Sequence, residues 1–382
     1  MPPSSDNHVK FKKALVDTIQ ELNILNIRSA MNSGHDVLGK FYEVFLKYGN
    51  GAKEIGIVLT PRHITKFAVE AVNVNVNDLI FDPTCGTAGF LVAAFDRVKK
   101  NASEQQINKF KQFNLFGIDQ EPEVVALAIV NMIFRGDGKN NIIEGNCFQK
   151  NLISTTKKGN SSGEFNTKNY EVGQQAITKI LMNPPFALKS SDDKEFKFID
   201  YALKQMQDGG ILFSVLPYSC MIKGGNYLSW RKRLIENNTL LSVITFPEDL
   251  FYPVGVHTIG IFIKKGVPHP KNQKVLWIRG LNDGYLKKKG KRLENSRANN
   301  DYPKIVQIIQ SFITNQDIEV KNIPEFQNAT KIDYSDDNLE LIPEAYLDEH
   351  DPSLEKIQEE VEYLVRESVA YLIRTKREGD IK

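Results

Sequence analysis

Cysteine is scarce in this chain. Three cysteines in 382 residues, an odd number without paired spacing, exclude a disulfide framework and a structural zinc site built on cysteine pairs. The six histidines show no ligand spacing, so no metal centre is expected. A dominant charge is missing too. Lys and Arg number 49 against 47 Asp and Glu, a net charge of +2, so no global field draws the chain to a polyanion and any basic surface must be local. No apolar run approaches membrane-spanning length, and Met1-Pro2-Pro3-Ser4-Ser5-Asp6 lacks the apolar centre of a signal peptide. With its free thiols, the chain is expected to be cytoplasmic and to have no membrane partner.

What is present is an alternation of short apolar runs with helical periodicity. Leu79-Ile80-Phe81, Asn114 to Asp119, Asn141 to Phe148, Ile177 to Met182 and Ile211 to Pro217 read as strands, with helices between them. Leu241 to Phe246 and Thr258 to Ile263, joined across Tyr252-Pro253-Val254-Gly255, read as an antiparallel pair at the sheet edge. The pattern predicts a doubly wound α/β sheet over about residues 52–266. Ahead of it, residues 9–48 read as a short helical cap, with Phe11, Leu15, Ile19 and Leu22 at threes and fours. Thr60 is placed to cap the next helix and Pro61 to open it.

Residues 149–175, rich in Lys, Asn, Ser, Thr and Gly, read as a surface loop or a partly disordered insertion. Val275 to Ile278 reads as one more strand. The basic run Lys287-Lys288-Lys289-Gly290-Lys291-Arg292 fits either a solvated loop or a nucleic-acid contact. From Pro352 onward, Leu354, Ile357, Val361, Leu364, Val365 and Leu372 mark one face of a long amphipathic helix, suited to its own domain or to a partner.

Between the first strand and its helix lies Asp82-Pro83-Thr84-Cys85-Gly86-Thr87-Ala88-Gly89-Phe90. Gly86 and Gly89 let the backbone bend and approach a ligand where a side chain would clash, and the helix N-terminus beyond offers unpaired N–H groups. Such a turn suits nucleotide, dinucleotide and S-adenosylmethionine sites alike. Asp119, at the end of the second strand, is placed either to receive the ribose hydroxyls of an adenosine or to cap the next helix. The third strand and its turn fall where an adenine ring would lie.

Asn183-Pro184-Pro185-Phe186 ends an apolar strand. The two prolines fix the backbone and remove its N–H donors, the Asn offers an amide oxygen, and Phe186 a flat face. That set suits a planar substrate with an exocyclic amine. The Asn183 oxygen and the Pro184 carbonyl can accept both amine hydrogens, and Phe186 can stack on the ring.

Taken together these motifs resemble the amino-group DNA methyltransferases, most closely the modification subunits of type I restriction–modification systems. The family turn Asp-Pro-x-x-Gly-Thr-Gly/Ala-Gly-Phe-Leu is matched by Asp82 to Leu91, its Thr-Pro-Arg by Thr60-Pro61-Arg62, its acid by Asp119 and its Asn-Pro-Pro-Phe by Asn183 to Phe186. Gly209 to Pro217 and Phe246-Pro247 through Val254-Gly255-Val256 to Lys264 also match, and the motif order is that of the gamma arrangement. Where the family has Gly-Asp this chain has Gly145-Asn146, whose amide can still accept a hydrogen bond. The match covers about residues 38–290.

The resemblance implies a Rossmann-like methyltransferase sheet with an antiparallel edge, a helical N-terminal cap (1–51), a methyltransferase domain (52–290) and a C-terminal helical extension (291–382). It implies methyl transfer from S-adenosyl-L-methionine to N6 of adenine in DNA, with Asn183, Pro184, Pro185 and Phe186 catalytic. Asp82, Thr87, Ala88 and Gly89 would line the methionine side, Thr60 and Arg62 would close it, and Asp119 would hold the ribose. Pro61, Pro83, Thr84, Gly86, Phe90, Gln120, Asn146 and Cys147 complete the implied cofactor site, together with Asn183. DNA, a specificity (S) subunit shared by two modification (M) subunits, and a restriction (R) subunit are the implied partners. The alternatives are methylation of RNA or of a protein glutamine, or a catalytically silent subunit that binds DNA or a partner.

Overall fold

The computed structural model describes residues 59–133, 135, 141–150, 177–186, 194–251, 255–288 and 291–348, with a few isolated positions towards either end. The expected N-terminal cap, the 149–175 loop and the terminal amphipathic helix lie, but for a few positions, outside the described residues. The parallel strands are β1 (Ile80–Asp82), β2 (Leu115–Asp119), β3 (Ile142–Glu144), β4 (Lys179–Met182) and β5 (Ile211–Pro217). They are followed by β6 (Thr239–Thr245), β7 (Thr258–Lys264) and β8 (Lys274–Arg279), then a hairpin of β9 (Tyr285–Lys288) and β10 (Lys291–Glu294), and finally β11 (Gln327–Lys331). The helices are α1 (Arg62–Ala71), α2 (Gly89–Lys99), α3 (Glu104–Phe113), α4 (Pro122–Ile133), α5 (Glu195–Gln205), α6 (Asn226–Asn237) and α7 (Tyr302–Thr314).

Nine strands form one sheet in the order β11-β8-β6-β7-β5-β4-β1-β2-β3, and β9–β10 stands apart. Chain connections run outward from β1 through β2 to β3 on one side, and from β4 to β5 on the other. Because crossovers between parallel strands keep one hand, that reversal places helices on opposite faces. The core accordingly has two halves. Residues of α1, α2 and α7 pack with Phe213 and Phe246 on one face; residues of α5 and α6 pack with Leu212 and Trp277 on the other.

The antiparallel pair expected from the sequence exists, with β6 and β7 in register around a bulge between Leu240 and Ser242. It is not an edge. β7 is inserted between β5 and β6, and β8 and β11 continue the sheet beyond them. The reason is burial on both faces, since almost every residue of β6 and β7 is inaccessible. Gly260 makes the insertion possible, because a Cβ there would stand 2.8 Å from the rings of Phe213 and Phe246. The polar strand β11 is the half-exposed edge. Neither β11 nor α3 and α7 was legible as an element in the sequence.

A buried arginine ties the last described segment to this sheet. Arg231 of α6 is 0% exposed and donates to the carbonyls of Leu339 (2.9 Å), Cys220 (2.9 Å), Lys223 (2.9 Å) and Asn338 (2.7 Å). Trp277 stacks flat on Tyr346 at 3.9 Å in the same region. Arg231→Met should therefore leave four carbonyls without their donor and cost about 3 kcal/mol or more. In urea unfolding the midpoint would fall while the slope stays unchanged.

Candidate active site

The point where the winding reverses lies between β1 and β4, and ligands of open α/β sheets bind at the carboxyl ends of strands at such a point. Both sequence motifs converge there. The glycine turn leaves β1 and the Asn-Pro-Pro-Phe segment leaves β4, paired in parallel through Ile80 with Lys179 and Phe81 with Ile180.

Left-handed backbone in the turn occurs at Gly86 (φ 53°) and at Ala88 (φ 66°), whereas Gly89 begins α2. This corrects the expectation for Gly89: a Cβ there would meet Thr65 Cγ2 at an ordinary 3.5 Å. Gly86 is the open position, with nothing within 4 Å of where its Cβ would stand. The left-handed alanine costs about 1–2 kcal/mol and is held by Ala88 N–H donating to the Cys85 carbonyl at 2.7 Å. Pro83 is buried, while Thr84 and Thr87 are half-buried. Phe90 packs edge-on to Phe213 in the core beneath the turn.

The turn is pinned from three sides. Asp119 accepts from Gly86 N–H at 2.9 Å and from Glu121 N–H at 3.1 Å. The Ile118 carbonyl accepts from Cys85 N–H at 2.8 Å. Buried Asn131 of α4 donates to the Thr87 carbonyl at 2.9 Å. Gly117 lets the turn approach β2 this closely, since a Cβ there would lie 2.9 Å from both Cys85 Sγ and Ile142 Cδ1. Neither Asn131 nor Gly117 stood out in the sequence, because each acts only through contact with a distant segment.

Two carboxylates share this end of the sheet. Burial pushes the Asp82 carboxyl well above its ordinary range, and the neighbouring Asp119 charge adds to the rise despite the Thr84 N–H that Asp82 accepts at 3.0 Å. Asp119 is raised as well, again chiefly by burial. Gln120 is exposed beside it. Asn146, exposed, accepts from Phe148 N–H at 2.9 Å and so caps the short turn Cys147–Gln149, with Cys147 buried.

On the β4 side, Asn183 Nδ2 donates to Thr60 Oγ1 at 3.0 Å. Asn183 Oδ1 is buried and accepts from no group among the described residues. Thr60 thus holds the Asn183 side chain instead of capping α1. The cap position belongs to Pro61, whose carbonyl accepts from Ile64 and Thr65 N–H at 2.9 and 3.1 Å. Arg62 is the first helical residue, half-buried. Pro184 is buried and Pro185 half-buried. Phe186 meets buried Phe251 edge-on at 5.7 Å. Among the described residues no group of three or more His, Cys, Asp or Glu is arranged to hold a metal, and no helix is long and apolar enough to cross a membrane.

Two substitutions follow from this geometry. Gly117→Ala should overpack the turn and cost about 1–3 kcal/mol of stability in urea unfolding. Asp82→Asn should raise the melting temperature at pH 7. A carboxyl whose native pKa stands above its unfolded value of 3.8 opposes folding once ionised. The advantage of the variant is therefore full above the raised pKa, shrinks as pH falls through it, and vanishes below 3.8, which a melting series across pH would trace.

Over residues 33–352 the sequence matches the family described as N-6 DNA Methylase. The type II restriction enzyme and methyltransferase RM.BcgI of Heyndrickxia coagulans is 36% identical over 265 residues, covering 68% of this chain and 39% of that protein. The EcoEI type I methylase subunit of Escherichia coli is 26% identical over 317 residues, covering 78% of this chain and 60% of that subunit. The chain thus spans between 39% and 60% of the length of these two relatives.

A solved structure concerning complex assembly and conformational transition of the type I R-M system is 19% identical, with a TM-score of 0.64 over 94% of this chain and 73% of that one. The type I methyltransferase subunit from Streptococcus thermophilus is 18% identical, with a TM-score of 0.56 over 76% and 59% of the two chains. These structures share the fold. Matched over most of its length, and carrying the Asn-Pro-Pro-Phe turn at the reversal of its sheet, the chain belongs to the N-6 DNA Methylase family.

Proposed function

We propose that this chain transfers a methyl group from S-adenosylmethionine to N6 of adenine in DNA, as a modification subunit that takes its sequence specificity from a separate S subunit. The observation that carries the reading is the buried, unpartnered Oδ1 of Asn183. An unmet buried acceptor costs about 1–3 kcal/mol, and here the other end of the amide meets the Thr60 hydroxyl at 3.0 Å. An incoming exocyclic amine satisfies it.

The residues present fit the cofactor. Gly86 leaves bare backbone with open space above it, and the raised Asp82 and Asp119 carboxyls suit a ligand carrying positive charge. Asp82, Thr87, Ala88 and Gly89 would hold its methionine end, with Thr60 and Arg62 beside them. Asp119 would hold the ribose and Asn146 the adenine. When bound, S-adenosylmethionine supplies a methyl group on a positively charged sulfur.

The remaining work belongs to the chain. The target adenine leaves the duplex stack at a cost of a few kcal/mol and stacks on Phe186, which Phe251 supports edge-on from the core. Asn183 Oδ1 and the Pro184 carbonyl accept the two N6 hydrogens, which draws the nitrogen lone pair out of the ring and turns it towards the methyl. The same two acceptors would hold the N6 proton that must leave once the nitrogen gains the methyl, with the sulfur departing as a neutral thioether. Holding both reactants in line supplies much of the acceleration. Two modification subunits per specificity subunit, joined by a restriction subunit for cleavage, is the assembly this reading implies.

The test is transfer of labelled methyl from S-adenosylmethionine onto unmethylated DNA, by the chain alone and with its co-purified partner. Asn183→Ala should lower the rate by about 10²–10³-fold or more while cofactor affinity changes little. Undiminished transfer by that variant would refute the role of Asn183. Label on RNA or on a protein glutamine, and not on DNA, would reassign the substrate; cofactor binding with no label anywhere would identify a silent subunit, the reading that Asn146 favours.

A further inference from the structure

The β9–β10 hairpin is a separate two-stranded ribbon, and such a ribbon is marginal by itself in water. Its inner face is fastened to the body by charge. Arg292 donates through Nη2 to both oxygens of Asp283 at 2.6 Å and through Nη1 to Asp249. Asp283, with a side chain 1% exposed, also meets His63 Nε2 of α1 at 2.9 Å. Tyr285 stacks on the His63 ring at 4.2 Å. Arg292, one end of the basic run, is thus turned inward. Asp249 lies two residues before Phe251, which packs on Phe186, and His63 lies three residues after Thr60, which holds Asn183. The ribbon is anchored beside the mouth of the active site.

Its other face has no such fastening among the described residues. The register sets Leu286 opposite Leu293 and Lys288 opposite Lys291, and the two leucines are 49% and 51% exposed. The segment from 287 to 291 carries four lysines and no acid, in a chain whose net charge is only +2. A basic ribbon with an apolar pair has the width and the charge to lie in a groove of duplex DNA, which admits a two-stranded β-ribbon, and to meet the phosphates on either side.

We propose that the β9–β10 hairpin is a DNA-contacting element that takes the duplex flanking the target adenine. This rests on the DNA-adenine reading given above. The lysines contribute sequence-independent affinity, and the bridge through Arg292 to Asp249 and Asp283 fixes the ribbon to the segment that leads into Phe251.

The experiment compares the full chain, with its co-purified partner, against the same chain carrying Lys288→Gln and Lys291→Gln, which share a strand face with Leu286 and Leu293. S-adenosylmethionine affinity and melting temperature serve as folding controls, and the single variant Lys291→Gln carries the same test if the double variant does not fold. The KM for DNA is expected to rise about tenfold or more near 150 mM salt, with kcat little changed. The slope of log affinity for DNA against log salt should flatten by about 0.9 for each phosphate that the variant no longer neutralises. An unchanged KM and salt slope in an active variant overturns the proposal alone. An unchanged KM with loss of the co-purified partner overturns it in favour of a protein surface. A wild-type chain that binds S-adenosylmethionine yet labels no DNA refutes the substrate reading, and the hairpin's role falls with it.

Discussion

Connections that leave β1 in one direction and β4 in the other open a gap between the ends of two adjacent parallel strands, and the site depends on that reversal. The gap receives the glycine turn from one side and the Asn-Pro-Pro-Phe segment from the other. Neither segment could form the site alone. The turn supplies a bare backbone and buried acids, while the second segment supplies an acceptor. The hydrogen bond from Asn183 to Thr60 at 3.0 Å then brings in a third segment, the approach to α1.

Stability is given up here for chemistry. Asp82 and Asp119 are raised by burial and lie near one another, Ala88 stands in a left-handed conformation, and the Asn183 oxygen is buried with no donor among the described residues. Each is unfavourable in the free chain, and under the proposed reading the acids and the orphan acceptor would be relieved by a ligand that carries charge or a donor. The surrounding lattice sustains them. Asn131 on the Thr87 carbonyl, the Ile118 carbonyl on Cys85, and the close fit over Gly117 keep the turn from relaxing.

The far side of the sheet serves a different end. Strands β8 and β11, Arg231 with its four carbonyls, and the Trp277–Tyr346 stack build a broad rigid floor beyond β7. From that floor the β9–β10 ribbon and α7 reach back to α1, where Tyr302 packs on Phe67 at 5.0 Å and Gln310 donates to the Glu70 carbonyl. Residues 291–348 are thus woven into the same sheet and onto the same helix that precedes the glycine turn.

The sequence by itself determined the local forms. Apolar runs of the right length became β1 to β8, the prolines after Asn183 fixed a donor-free turn, and Gly86 took the positive φ, because backbone sterics and periodicity act over a few residues. What it left open were matters of long range. Whether Thr60 caps a helix or holds Asn183 is decided by a partner 123 residues away. Whether the β6–β7 pair is an edge is decided by β8 and β11, and β11 is too polar to announce itself as a strand. Ala88, not Gly89, bears the left-handed turn because packing over Gly117 and Asn131 outweighs the local preference of alanine. Contacts between segments far apart in the chain have no sequence period, so only the folded structure could place them.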